Sequence, residues 1–570
     1  MKSFSLTKSF QIPIILIFLI SMIFRLYGLN WDGGHHLHPD ERFLTMVTQD
    51  IYWPRSVSSY LNPALSPLNP YNVGYPFFVY GMFPLILVKF ISDLITLDHF
   101  SYNNITLVGR VLAATFDVGT LLVVYLIARR TFSSRIALFS ALFYGLSVLP
   151  IQLSHFFTVG PVMVFFLVLS FFLLLIFLDG RRQCFSSIGL GISFGLSVAS
   201  KISAGYFLAI IGLGWLVVFL RTRKVLPTVL GAVLFVFFSY STLRLADPRM
   251  FTSPSFFDPR PNPQFLANLR ELQALNNRFA FFPPSIQWIP TNPIWFPFMN
   301  IVLWGFGLPL GIFVVLGLVA SLRFFTMTIL LPRRIPRILK LWPEHLGHLF
   351  LLTWVLFLFI SQGIQFVKTL RYFYPIYPFF VILAAWFFDN TVVRRSSHIV
   401  VIGFCVIFVI YPVSFLSIYS RPHSRVMASE WIYANIPTGS VLSCEHWDDC
   451  LPLGASGRSN ALYQTEVLPL FDPDTPEKWR KINRQLENVD YLILSSNRVW
   501  GSIPKVPEKF PLTSQFYQDL FAGKLYFKKV FDLTSYPTIP LLNIPIPDDS
   551  SEEAFTVYDH PRVIIFQRMQ

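Results

Sequence analysis

The chain has 570 residues, of which 54% are hydrophobic and only 13% charged, with 61 phenylalanines and a mean hydropathy of +0.54. This composition excludes a soluble globular protein and points to a polytopic α-helical membrane protein; the long, unbroken apolar runs exclude a β-barrel. The net charge of +14 is dispersed as clusters that punctuate the apolar runs, so nucleic-acid binding is not expected.

In chain order, Lys2 and Lys8 precede an apolar run from Ile12 to Phe24. No small-residue cleavage site follows, because Arg25-Leu26-Tyr27-Gly28 comes next. The run therefore reads as an uncleaved first helix. Eleven spans of helical length are expected, near residues 9–29, 107–128, 136–153, 161–178, 186–200, 203–220, 226–243, 300–322, 348–362, 372–388 and 398–418. Basic clusters lie between alternate spans: Arg129-Arg130 with Arg135, Arg181-Arg182, Arg221 to Lys224, Arg333 to Lys340, and Arg394-Arg395. Placing all of them in the cytoplasm sets the N-terminus inside and residues 420–570 outside.

Tyr75 to Ile95 is apolar enough to cross, but a crossing there would carry Arg129-Arg130 outside. With Pro76, Pro84 and Lys89 it reads as an interfacial helix within the first external loop. The expected organisation is a membrane domain over 1–419, with external loops 30–105 and 245–298, and a small external α/β domain over 420–570. In that domain a helix from Ser424 to Asn435 precedes strands at Ser440–Ser443, Tyr491–Leu494 and Arg562–Phe566. Four cysteines exclude a disulfide framework, although Cys444 and Cys450 are placed to pair if that domain is outside.

Four polar features fall on the external side. The first is Asp40-Glu41, after His35, His36 and His38 and before Arg42. A helix start behind Pro39 accounts for two early acids and does not exclude chemistry. Carboxylates held at the membrane surface suit proton abstraction from a water-soluble acceptor while a lipid-borne donor waits in the bilayer. The histidine spacing matches no closed zinc site. The second is Lys201, between two apolar helices, where an ammonium snorkels or meets an anion. The third is Lys368 with Arg371-Tyr372, cations on the external side against the positive-inside trend, read as interfacial anchors or as partners of a lipid phosphate. The fourth is the turn from Ser154-His155 to Gly160, together with Glu445-His446-Trp447-Asp448-Asp449, whose acids read as a solvated loop.

Taken in order, Pro39-Asp40-Glu41, Gly109-Arg110-Val111-Leu112, Ala128-Arg129-Arg130-Thr131-Phe132, Ser200-Lys201 and Arg371-Tyr372 before Pro375 and Pro378 resemble the GT-C superfamily of integral-membrane glycosyltransferases. The likeness covers roughly residues 10–390 and is nearest to the protein O-mannosyltransferase and aminoarabinose-transferase group, families 39 and 83. It implies a GT-C-like bundle and inverting transfer of a sugar from a polyprenyl-phosphate donor to an acceptor hydroxyl on the external face. Asp40 is the implied general base, with Glu41 the second catalytic carboxylate. Lys201, Arg371, Tyr372, Lys368, Arg42, His38 and His155 are the implied partners of the lipid phosphate and sugar. No metal or other cofactor is implied. The expected partners are the donor, membrane lipid and a protein, lipid or glycan acceptor, and the expected location is a bacterial plasma membrane. One departure stands out: relatives place an Asp in the second external turn, where this chain has Thr158-Val159-Gly160-Pro161. The competing expectations are a transporter or flippase of a lipid-linked glycan, which calls for mid-membrane charges or repeated halves, and a catalytically silent scaffold.

Overall fold

The computed structural model describes residues 8–95, 101–180, 183–329, 344–454 and 457–569. The basic clusters at 181–182 and 333–340 lie outside the described residues. Among the described residues, nine helices are long and apolar enough to span a membrane: Tyr102–Thr131, Gly160–Leu178, Gln183–Ser200, Ile202–Thr222, Val225–Ala246, Leu308–Met327, His345–Gly363, Tyr374–Val393 and His398–Asn435. The pair Ser134–Gly145 and Val148–Ser154, bent by 56°, makes a tenth. A shorter helix, α1 (Lys8–Leu26), brings the helices to the eleven read from hydropathy, and the chain is a multi-pass membrane protein. Of the Tyr75–Ile95 stretch only Phe83–Ile95 is helical; at 13 residues it is about 20 Å long, short of the ~30 Å hydrocarbon core.

Helix ends follow local rules. Ser101 and Ser133 accept the Asn104 and Ile136 N–H groups, starting the two helices that follow. Close packing uses small residues: a Cβ on Gly191 would lie 2.7 Å from the Phe235 carbonyl oxygen, so the Gln183–Ser200 and Val225–Ala246 helices touch only because none is there. Asp117 is fully buried and accepts hydrogen bonds from Arg25 Nε and from the Tyr144 and Tyr374 hydroxyls. Arg25 also donates to the carbonyls of Ser21 and Gly145, each at 3.2 Å. One carboxylate thus ties four separate helical segments together. One end of the bundle is closed by Arg130–Asp179 and by Asp389 with Arg135 and Arg394.

Beyond residue 420 a five-stranded sheet has the order β2-β1-β3-β7-β4: β1 (Val441–Glu445), β2 (Gln464–Leu468), β3 (Tyr491–Leu494), β4 (Phe527–Leu533) and β7 (Val563–Arg568). β1 pairs in parallel with β2 and β3, whereas β7 is antiparallel to β3 and β4. A small hairpin, β5 (Thr538–Ile539) and β6 (Ile544–Pro545), stands apart. Cys444 and Cys450 form a disulfide, the pairing the sequence had left conditional. This region meets the bundle at the end opposite the Asp389 ion pairs, where Arg42 donates to Asp449 and Gln152 to Asp559.

Candidate active site

The loop after α1 turns back at Gly33 and Gly34 and starts α2 (Pro39–Asp50) at the surface of the bundle. His38 caps it: its Nδ1 accepts the Glu41 N–H at 3.3 Å, which requires a neutral ring. Burial does most to keep His38 neutral, holding it down to about 4. Adjacent residues on a helix diverge by about 100°, so Asp40 and Glu41 face different surroundings.

Glu41 is fully buried. Arg110 Nε donates to its Oε2 at 2.9 Å and Arg110 Nη2 to its Oε1, while the Phe157 N–H donates to Oε2 at 2.7 Å. Arg110 also donates to both Asp32 oxygens and lies 4.9 Å from the Trp31 ring. Glu41 therefore fastens α2 to the Tyr102–Thr131 helix and to the turn at 155–160. With these donors around it, neither of its oxygens is exposed.

Asp40 is different, with 24% of its side chain exposed. It accepts from Arg371 Nη1 and from Tyr80. Burial raises its pKa, but Arg371, His38 and Tyr80 together outweigh this and hold it at about 2. Asp40 is thus an anion at neutral pH. Arg371 projects from the short 3-10 turn Leu370–Tyr372 and is 33% exposed; its buried Nε has no hydrogen-bond partner among the described residues. Lys201 is the single residue between two spans, and its ammonium lies 5.0 Å from the Tyr372 ring centre. Burial and the Arg371 charge bring it down to about 8, against the pull of Asp40. Among the described residues it forms no ion pair. Asp40, Arg371, Lys201 and Tyr372 thus converge.

The remaining residues singled out in the sequence do not join them. Lys368 donates to Thr291 Oγ1 at 3.0 Å and to the Phe366 carbonyl at 2.9 Å. Arg42 donates to the His36 carbonyl and to Asp449. His155 is buried, with its two ring nitrogens facing the Ile151 and Tyr27 carbonyls and its ring stacked on Tyr419. Asp448 and Asp449 are held by Arg425. Among the described residues no group of three or more His, Cys, Asp or Glu could hold a metal ion.

Four contributors were not singled out from sequence. Tyr80 is placed by its neighbour Gly81, whose N–H donates to the Ser200 carbonyl at 3.2 Å. A Cβ on Gly81 would sit 2.0 Å from the Ala199 carbonyl oxygen, so no larger residue brings the loop this close. Arg249, paired with Asp247, holds the same stretch through the Phe78 and Tyr80 carbonyls. The Arg371 turn is held from the C-terminal region: Glu552 accepts from Thr369 Oγ1 at 2.6 Å and from the Leu370 N–H at 2.7 Å. Burial pushes the Glu552 carboxyl up to about 7 against those donors. Tyr558, from the same segment, lies against the His38 ring at 4.3 Å. Only the Gly81 contact had a sequence signal, a glycine amid aromatics; the others depend on chain segments brought together from far apart.

Residues 94–242 match the family described as dolichyl-phosphate-mannose-protein mannosyltransferase. No curated protein matches the chain. Among solved structures it is similar to the oligosaccharyltransferase AglB of the archaeon Archaeoglobus fulgidus in complex with an inhibitory peptide and a dolichol-phosphate. The identity is 15% and the TM-score 0.50, covering 95% of this chain and 75% of that one. ArnT from Cupriavidus metallidurans in its apo state is similar at 14% identity and TM-score 0.46, with 97% of each chain covered. In fold, and over the matched segment, this chain resembles the GT-C membrane glycosyltransferases.

Proposed function

We propose that the protein transfers a hexose from a polyprenyl-phosphate donor to an acceptor hydroxyl on the external face of the membrane, with inversion at the anomeric carbon. The observation that carries this reading is the contact of a partly exposed, ionised Asp40 with Arg371, beside Lys201, at the outer end of apolar helices. The donor lipid lies among those helices with its phosphate at Arg371 and Lys201. The acceptor, a hydroxyl of a protein, lipid or glycan, comes from water above Asp40.

In the reaction the bond from the anomeric carbon to the phosphate oxygen breaks and a bond to the acceptor oxygen forms. The acceptor proton passes to Asp40, and the leaving phosphate gains one negative charge. Arg371 and Lys201 stabilise that growing charge, a preorganised arrangement worth several kcal/mol. A carboxylate held at about 2 by a guanidinium is a weak base. The donor phosphate competes with Asp40 for Arg371, and as the guanidinium turns to the phosphate Asp40 recovers basicity. Donor binding thus primes the base. Glu41, occupied by Arg110, positions Asp40 rather than sharing its role. The presence of Gly160 in the second turn leaves Asp40 as the carboxylate at the opening.

The test is transfer of radiolabelled hexose from synthetic polyprenyl-phosphate donors by the purified protein beside Asp40→Asn. Transfer by wild type and its loss in the variant are expected. Equal transfer by both would move the base elsewhere, and no transfer from any donor would sink the reading.

A further inference from the structure

The hairpin of β5 and β6 is the most exposed apolar feature outside the spans. Its tip carries Leu541 at 99%, Leu542 at 65% and Ile544 at 50% exposure, and residues 536–547 contain no charged side chain. Leu541 has φ +66°, a conformation that a turn made for water alone would give to Gly or Asn. An uncharged hairpin with bare leucines at its tip is an aggregation hazard in water.

Its place in the fold says what covers it. The His398–Leu416 helix exposes Ile399, Ile402, Val406 and Ile410, a stripe at helical spacing that faces lipid in a membrane protein. The stripe continues through half-exposed Val413 to Ser417, the first residue past that helix. There the hairpin attaches: the Thr538 N–H donates to Ser417 Oγ at 2.9 Å, and Arg421 Nη2 donates to the Tyr536 carbonyl at 2.7 Å. Ile546, at the hairpin base, packs on the core of the bundle. The hairpin therefore sits on the lipid-facing side of a spanning helix, level with its end.

We infer that this hairpin is a membrane anchor: Leu541, Leu542 and Ile544 enter the bilayer interface beside the outer end of the His398–Leu416 helix. It fastens the C-terminal region to the membrane just ahead of Glu552 and Tyr558. Uncharged side chains and an attachment at the lipid-facing stripe favour a lipid surface over a second copy of the chain.

Spin labels at Leu541→Cys and Leu542→Cys, in a background of Cys184→Ser and Cys405→Ser to remove the free thiols, test this directly. The full chain is placed in nanodiscs of equal parts phosphatidylcholine and phosphatidylglycerol, and collision with oxygen and with a water-soluble nickel chelate is measured. A ratio of oxygen to nickel accessibility several-fold above that of a label at Tyr526, exposed on the sheet region, is expected. A ratio equal to that at Tyr526 would overturn the anchor, as would exclusion of both agents, which would mean a second copy covers the tip. Because these side chains touch little, folding is not at risk; Leu542→Trp with quenching by brominated lipid gives an independent reading of the same contact.

Discussion

Asp117 and Asp40 have the same kinds of partner and opposite situations. Each faces one arginine and tyrosine hydroxyl groups: Arg25, Tyr144 and Tyr374 for Asp117, Arg371 and Tyr80 for Asp40. Asp117 is sealed, with every partner supplied by the bundle and neither member of its ion pair exposed. Asp40 and Arg371 keep 24% and 33% of their side chains open, and Lys201 stands by without an ion-pair partner among the described residues. The same residue types thus make a sealed lock in one place and an open pair in the other, and the difference is access. A sealed pair has spent its charges on each other; an open one can exchange its partner for a ligand.

The comparison is broken most severely by Asp40→Asn. Transfer activity is expected to fall by about 10²–10⁴-fold, while stability, read by thermal unfolding, changes by less than about 1 kcal/mol because Arg371 can still reach solvent. Asp117→Asn should do the reverse and destabilise by about 3–5 kcal/mol, since it strands Arg25 in the bundle; thermal unfolding in detergent checks it. Arg371→Lys keeps the charge but loses the planar fork, and a rise of about 1.5–3 kcal/mol in the transfer barrier is expected, measured as kcat/KM for the donor.

A smaller effect concerns the segment that reaches the site from the sheet region. His560 lies between Asp559 and Asp548. Burial lowers its pKa, but the two carboxylates more than offset this and bring it up to about 10. Because the folded value is raised above 6.5, its stabilisation is complete below about pH 6.5 and lost as pH rises through about 10. The protection of residues 548–560 against hydrogen exchange, taken relative to the intrinsic rate at each pH, should therefore fall between pH 7 and 10, and His560→Gln should remove that fall. The smallest change expected is Gly160→Asp. The nearest atoms to a Cβ there belong to Tyr374 and Thr158, at 3.7 and 3.8 Å, ordinary contact distances, and an acid at a helix N-terminus adds about 0.3–1 kcal/mol. Unfolding should be unchanged or slightly later.

The spans were legible in the sequence because hydropathy is a local property that needs no knowledge of neighbours. Asp40, Lys201 and Arg371 were legible as charges stranded beside apolar helices. What was hidden is the difference in surroundings between Asp40 and Glu41. Nothing near residue 41 announces that Arg110, 69 positions away, and the Phe157 N–H, 116 away, will occupy it. His155 misled for the same reason: its imidazole partners are backbone carbonyls, which no side-chain pattern records. Lys368 looked like a phosphate ligand because its partner Thr291 lies in another loop.

The grip of Glu552 on the Arg371 turn spans 182 residues of chain, and this has a consequence for biogenesis. At about 5–20 residues per second of synthesis, the ribosome needs about 10–40 s to travel from the turn to its clasp. Through that interval the helices can already be seated in lipid while the guanidinium still lacks its support. The Arg371 turn is then completed late, in a single event, when the C-terminal segment folds back on the bundle.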